Sequence, residues 1–110
     1  MERLEKIFGS ERETKLAEGL LHILKGLREP IVAFDLTEKY PYTARVAGNF
    51  PGPSGVGYND VFSILIINKY IRVVQSGTTG NKNFHPSWTI EMTEEAKEFF
   101  GKNYRKETVH

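Results

Sequence analysis

The glycine- and proline-rich segment before residue 58 is where phosphate or nucleophile chemistry would first be sought. Residues 52–57 have the glycine spacing of a phosphate-binding P-loop, but Tyr58 and Asn59 stand where that motif needs lysine and serine or threonine. Ser54 does not lie in a nucleophile elbow, because Val56 occupies the position of the second glycine. Both enzyme motifs therefore fail.

Other catalytic and metal-binding patterns are also missing from the sequence. The chain has no cysteine, and His22 and His85 have no partner histidine at ligand spacing. Paired carboxylates and nucleophile–base sets do not occur at a recognisable spacing. The sequence therefore predicts no catalytic residues, no metal site and no cofactor. With no cysteine, no signal peptide and no long apolar run, it predicts a cytoplasmic protein.

A polar segment later in the chain could bind phosphate. Residues 76–86 contain Gly77, Gly80 and Pro86, which predict a loop. This loop supplies hydroxyl, amide and ammonium groups from Thr78, Thr79, Asn81, Lys82 and Asn83. Such groups bond phosphate oxygens without reading sequence.

The charge distribution favours the same region. The whole chain has a net charge of only +1. Residues 41–90 carry four basic side chains against one acidic side chain, a net charge of +3, and each flank is −1. A surface built from the middle of the chain would therefore be mildly positive.

The helices and strands that position the polar loop and the basic side chains begin with a helix at Ser10. Ser10 and Glu13 have capping-box spacing, and apolar side chains follow with a 3.6-residue period. Pro30 prevents much continuation past Arg28. Residues 31–34 could be a short strand or the start of a helix, residues 35–40 a helical turn, and residues 42–50 a helix that restarts after a proline.

Residues 58–100 form the most informative stretch. The apolar run 61–67 predicts a short helix, 70–75 a β-branched strand, 88–92 an alternating strand, and Thr93 the cap of a final helix. An alternative remains open. Residues 61–67 could be a buried strand with Asn68 and Lys69 as a hairpin turn, which would give a helix plus an antiparallel β-meander.

This order resembles the winged helix-turn-helix family of small prokaryotic and archaeal transcription regulators. Phe62 and Leu65 are similar to the buried pair of its third helix, and Tyr70–Ile71 to the start of the strand that follows. Residues 72–74 and 88–92 resemble the two wing strands, 78–85 the wing, and 92–100 the segment leading into a closing helix. The resemblance implies an α+β, mainly α fold with a two-stranded wing and a C-terminal helix. The expected organisation is an N-terminal arm at 1–9, the winged-helix domain at 10–104 and a flexible tail at 105–110.

The resemblance also implies double-stranded DNA as the partner, contacted by a weakly basic helix-turn-helix and wing. The expected nucleic-acid-binding residues are Arg45, Ser54, Asn59, Ser63, Lys69, Arg72, Thr78, Thr79, Asn81, Lys82 and Asn83. These groups would act mainly on phosphates.

A homodimer is expected as well, because winged-helix regulators often pair through helices outside the DNA-binding core. Its apolar surface would come from Leu4, Ile7, Phe8, Ile66, Ile67, Phe99 and Phe100. Apolar residues surround nearly the whole helix at 61–67, unlike most recognition helices. The alternative function is therefore a winged-helix module that binds another protein and does not read DNA directly.

Overall fold

A computed structural model describes residues 1–39, 58–76 and 84–104 of the 110-residue chain. This part is a small α+β structure, mainly helical, with a three-stranded antiparallel sheet. Its helices are α1 (Leu4–Ile7), α2 (Glu11–Gly26), α3 (Ala33–Lys39), α4 (Tyr58–Ile67) and α5 (Glu94–Asn103). Its strands are β1 (Ile31–Val32), β2 (Ile71–Gln75) and β3 (Thr89–Met92).

Helix α2 confirms the predicted start and stop. The Ser10 hydroxyl accepts a hydrogen bond from the Glu13 N–H at 3.2 Å, which satisfies one free donor of the first turn. The Glu13 carboxylate accepts from the Ser10 hydroxyl at 2.9 Å, so it reaches the side chain of the cap. The apolar stripe of α2 faces the core, and the helix ends at Gly26, four residues before Pro30.

Residues 31–34 contain both of the structures that the sequence left open. Ile31 and Val32 pair with β3, and α3 begins directly at Ala33. The first N–H groups of α3 donate outside the helix: Ala33 to the Trp88 carbonyl and Phe34 to the Pro86 carbonyl, each at 2.9 Å. The chain before β3 therefore satisfies the start of α3. The predicted helix at 42–50 lies outside the described residues.

Residues 58–75 form a helix followed by a strand, as predicted. Because 61–67 are helical, the alternative β-meander is wrong. Strand β3 is central, in the order β1–β3–β2, and both of its neighbours are antiparallel to it. Ile90 of β3 pairs with Ile31 on one side and Val73 on the other, and the register shifts between Val73 and Gln75.

The core lies between the inner face of the sheet and the helices. Its fully buried side chains come from every helix and from β2 and β3, and include Leu4, Leu20, Leu36, Val61, Phe62, Leu65, Tyr70, Ile71, Ile90 and Phe100. Leu4 and Phe8 belong to this cluster. The N-terminal segment predicted as an arm therefore packs on the same core as the rest of the chain.

Candidate nucleic-acid interface

Helix α4 has one buried side and one open side. Val61, Phe62 and Leu65 are fully buried, and their spacing places them on one stripe of the helix. Asp60 is exposed on the opposite side, and Ile67 leaves 74% of its surface open. Among the described residues, the opposite side of α4 therefore keeps Asp60 and Ile67 exposed, whereas core packing uses the inner stripe.

The turn that ends α4 is fixed by backbone hydrogen bonds. The Tyr70 N–H donates to the Leu65 carbonyl at 2.9 Å, and the Lys69 N–H donates to the Ile66 carbonyl at 3.1 Å. This is the Schellman arrangement, in which the residue at the Lys69 position adopts left-handed backbone torsions. Lys69 has φ of 68°, and it is the one non-glycine residue of the described chain with positive φ. The backbone of Lys69 is therefore fixed beside the end of α4, and its side chain is exposed.

Thr93 connects this turn to α5. Its hydroxyl donates to the Lys69 carbonyl at 2.7 Å and accepts from the Ala96 N–H at 3.1 Å. The Thr93 N–H donates to the Tyr70 carbonyl at 3.1 Å. One side chain thus caps α5, as predicted, and also fixes the turn after α4. The second role was missed in the sequence, because the 24-residue separation of Thr93 from Lys69 leaves no local signal.

Arg72 lies on the outer face of the β2–β3 pair. Its cross-strand neighbour is Glu91, and the two side chains form a salt bridge and a hydrogen bond. Arg72 remains 66% exposed, so its guanidinium is open to solvent beside the carboxylate. Exposed ion pairs contribute about 0–1 kcal/mol, which is weak enough for a phosphate to compete. Glu91 was not predicted as part of the site, because its pairing with Arg72 depends on the strand register.

An aromatic series supports the return strand. The Phe84 ring stacks on Phe62 of α4 with centroids 4.9 Å apart, and Trp88 meets Phe84 edge-on at 5.4 Å. Trp88 is buried in the core. Its Nε1 has no hydrogen-bond partner within the part of the chain that the structure describes. The chain entering β3 is therefore anchored to α4 mainly by ring packing.

His85 is engaged in a local turn. Its Nδ1 accepts from the Ser87 N–H at 3.1 Å and lies 2.8 Å from the Ser87 hydroxyl. His85 is therefore satisfied within this turn. The arrangement occupies one ring nitrogen within the chain.

The predicted nucleic-acid-binding residues divide into two groups. Arg45, Ser54, Thr78, Thr79, Asn81, Lys82 and Asn83 lie outside the described residues, and so does the side chain of Asn59. Ser63, Lys69 and Arg72 are described. Ser63 is partly buried on α4, whereas Lys69 and Arg72 are exposed on the turn and strand that follow. The structure thus places these three on one continuous helix–turn–strand segment.

The predicted dimer surface needs correction. Leu4, Phe8 and Phe100 are buried in the core of a single chain, so their side chains are not available to a partner. Ile7, Ile66 and Phe99 are partly buried against that core. Of the seven predicted residues, Ile67 alone is exposed.

Two phenols, Tyr104 and Tyr70, bind the N-terminal segment. The Tyr104 hydroxyl accepts from the Leu4 N–H at 2.8 Å and donates to the Glu5 carboxylate at 2.5 Å. The Tyr70 hydroxyl donates to the Glu2 carbonyl at 2.5 Å. Burial, and then the bond to Glu5, raise the pKa of Tyr104 to about 12. Burial also raises the pKa of Tyr70.

The described residues contain no group of three histidine, aspartate or glutamate side chains that could hold a metal ion. An open depression lies where α2 turns into β1, lined by Leu27, Arg28, Glu29, Pro30 and Ile31. Among the residues that the structure describes, no helix is both long and apolar enough to cross a membrane. Comparison with protein-family models, curated proteins and solved structures gives no match.

Proposed function

We propose that the chain is a winged helix-turn-helix domain that binds double-stranded DNA and acts as a transcription regulator. The element order supports this reading. Helix α2, strand β1 and helices α3 and α4 precede a β2–β3 pair, and β1 lies against β3. In this interpretation α4 is the recognition helix, and the segment joining β2 to β3 is the wing.

The observation that carries the proposal is the segment from α4 to β2. The helix buries one side and leaves the other open, and two exposed cations, Lys69 and Arg72, follow it directly. Because Thr93 and the Schellman turn fix the backbone of Lys69, this residue follows α4 in a defined backbone geometry. Phosphate contacts at the end of a recognition helix would set its depth and angle in the groove.

Affinity in this proposal comes from few charges. Lys69 and Arg72, together with Arg45 and Lys82 outside the described residues, give about four phosphate contacts per chain. Neutralising about four phosphates gives a slope of log affinity against log salt of roughly −3.6. A homodimer would double this number and bind two half-sites. The proposal assigns a binding role in the cytoplasm, with no catalytic step.

The test is a fluorescence-anisotropy titration of a labelled duplex at several salt concentrations, beside a mass measurement of oligomeric state. We expect binding at low salt that weakens steeply as salt rises. Arg72→Ala and Lys82→Ala should each reduce the magnitude of the salt slope by about 1. Lys102→Ala is the matched control, because Lys102 is an exposed cation on α5 paired with Glu98. Absence of binding to any duplex at low salt would overturn the proposal.

A second candidate function is favoured by Ile67. A large aliphatic side chain with 74% of its surface exposed could also enter an apolar pocket. It would suit a protein partner. Retention of a specific protein by the wild-type chain but not by Ile67→Asp would support this function if the duplex titration is negative. If Ile67→Asp retained that protein as well as the wild-type chain does, α4 would have no role in binding the partner.

A further inference from the structure

The outward side of α4 has a composition that restricts what it can recognise. Positions 60, 63, 64 and 67 recur on the side opposite to Val61, Phe62 and Leu65. They supply one carboxylate, one hydroxyl and two isoleucine side chains. Asp60 and Ile67 are exposed, and Ser63 and Ile64 are partly buried. From Asp60 to Ile67 this side carries no cation and no amide.

Between Asp60 and Ile67 this side lacks the usual readers of purine edges, and Asn59 before it has a side chain outside the described residues. Guanine is read by arginine or lysine at its O6 and N7 atoms, and adenine by asparagine or glutamine at N6 and N7. None of these side chains occurs between Asp60 and Ile67. The apolar group of the major groove is the 5-methyl group of thymine, and apolar side chains contact it. Exposed isoleucine is therefore complementary to thymine.

Ile67 is the better placed of the two isoleucines. Ile64 packs partly against the core, whereas Ile67 lies outside the core cluster and is the most exposed large apolar side chain described. Lys69 follows it within two residues, at the turn held by Thr93. A cation on a phosphate and a methyl-contacting side chain would therefore act from adjacent positions. Asp60 and Ile67 are separated by about 10 Å along the helix, which corresponds to roughly three base pairs.

We propose that α4 recognises thymine-containing steps in the major groove, through contact of Ile67 and Ile64 with 5-methyl groups. Ser63 then bonds a neighbouring base edge, and Asp60 accepts from a cytosine amino group. This inference rests on the proposed function, because it names the DNA feature that the same helix reads. It assigns specificity to methyl contacts and affinity to the cations that follow.

The experiment uses the full chain and a randomised duplex library. Duplexes retained by the chain at low salt are sequenced, and the most enriched one is synthesised with thymine and again with uracil, which lacks only the methyl group. We expect the wild-type chain to bind the uracil duplex about fourfold more weakly for each contacted methyl, the factor given by about 0.8 kcal/mol per buried methyl.

Two variants locate the effect. Ile67→Ala should bind with nearly equal affinity the duplexes that have thymine or uracil at the position that Ile67 contacts. The melting temperature of this variant should be unchanged, because Ile67 is exposed. Val74→Ala is the matched control. Val74 is an aliphatic side chain, 48% exposed, on β2 instead of α4. It should retain the full thymine preference.

The outcomes separate the two proposals. Binding of the enriched duplex that is equal for thymine and uracil overturns the methyl-reading inference and leaves DNA binding standing. Full thymine preference in Ile67→Ala also overturns it. Failure to retain any duplex overturns DNA binding, and the inference with it.

Discussion

Tyr104 accepts a hydrogen bond from the backbone N–H of Leu4 at 2.8 Å, across 100 residues of sequence. The same hydroxyl donates to Glu5, and the guanidinium of Arg3 lies 4.7 Å from the centre of the Tyr104 ring. Phe100 stacks beneath that ring at 4.9 Å. The end of α5 and the start of α1 are thus held by one phenol that uses both its ring and its oxygen.

Tyr104→Phe should destabilise the fold. The substitution keeps the ring stack but leaves the buried Leu4 N–H without its acceptor, at a cost of about 1–3 kcal/mol. Urea unfolding at neutral pH measures the loss. Tyr70→Phe is the comparison, because the Tyr70 hydroxyl donates to the carbonyl of Glu2, an exposed residue. Tyr70→Phe should therefore lose less stability than Tyr104→Phe. Equal stability of Tyr104→Phe and wild type would show that the hydrogen bond contributes nothing.

The Glu5 carboxylate should make the stability of the fold depend on pH in the acid range. The Tyr104 hydroxyl, and then Arg3, lower the pKa of the Glu5 carboxyl below its ordinary value of 4.5. The folded chain therefore binds this proton more weakly than the unfolded chain does. The stabilisation by the Glu5 carboxylate is complete above about pH 4.5, and it is lost as the pH falls through the lower pKa of Glu5 in the folded chain.

The measurement is the difference in unfolding free energy between wild type and Glu5→Gln at pH 7 and at pH 3. We expect the difference to shrink at the lower pH. Glu98→Gln serves as control, because Glu98 forms an exposed pair with Lys102. A Glu5 difference that stays constant between the two pH values would contradict the assignment.

Lys69→Gly should stabilise the fold while removing a charge. Lysine at φ of 68° has a steric cost that glycine avoids, so we expect a gain of about 1 kcal/mol and a rise in melting temperature of about 4 °C. Lys69→Ala retains the steric cost and should leave the melting temperature nearly unchanged. Both variants should weaken duplex binding equally if the ammonium contacts phosphate. A lower melting temperature for Lys69→Gly would show that the turn does not carry this strain.

Thr93→Val should reduce the free energy of unfolding, whereas Thr93→Ser should not. Valine keeps the shape but removes the hydroxyl that bonds Ala96 N–H and the Lys69 carbonyl, at a cost of about 1–2 kcal/mol. Serine keeps both hydrogen bonds. Thermal melting of the two variants, followed by circular dichroism, makes the comparison. A loss of stability in Thr93→Ser with none in Thr93→Val would show that packing of the methyl group, and not the hydroxyl, is what matters.

Local signals were sufficient to predict much of this fold. Ser10 and Thr93 cap their helices as the sequence indicates, because each bonds an N–H only three residues away. The α4–β2 segment was ambiguous, since isoleucine and valine suit a strand as well as a buried helix. The six-residue Schellman turn, with lysine in place of the usual glycine, resolves that ambiguity in the folded chain.

Long-range contacts were the part that the sequence did not reveal. Leu4, Phe8 and Phe100 appeared to be spare apolar surface because nothing local shows that the segments around Leu4 and Tyr104 meet. The pairing of Arg72 with Glu91 likewise depends on a register set by the whole hairpin. Candidate contacts at Lys69 and Arg72 could be chosen from charge alone, whereas the open side of α4 required the packing of Phe62 and Leu65 to be known.

The proximity of Leu4 and Tyr104 has a consequence for how the chain can be rearranged. Because the Tyr104 hydroxyl reaches the backbone N–H of Leu4, a short peptide could join the segment after α5 to the segment before α1. New termini could then be opened between α3 and α4, giving a circular permutant in which α5 runs directly into α1. In that molecule Leu4 and Tyr104 would become near neighbours in sequence, and their hydrogen bond would form as a local contact.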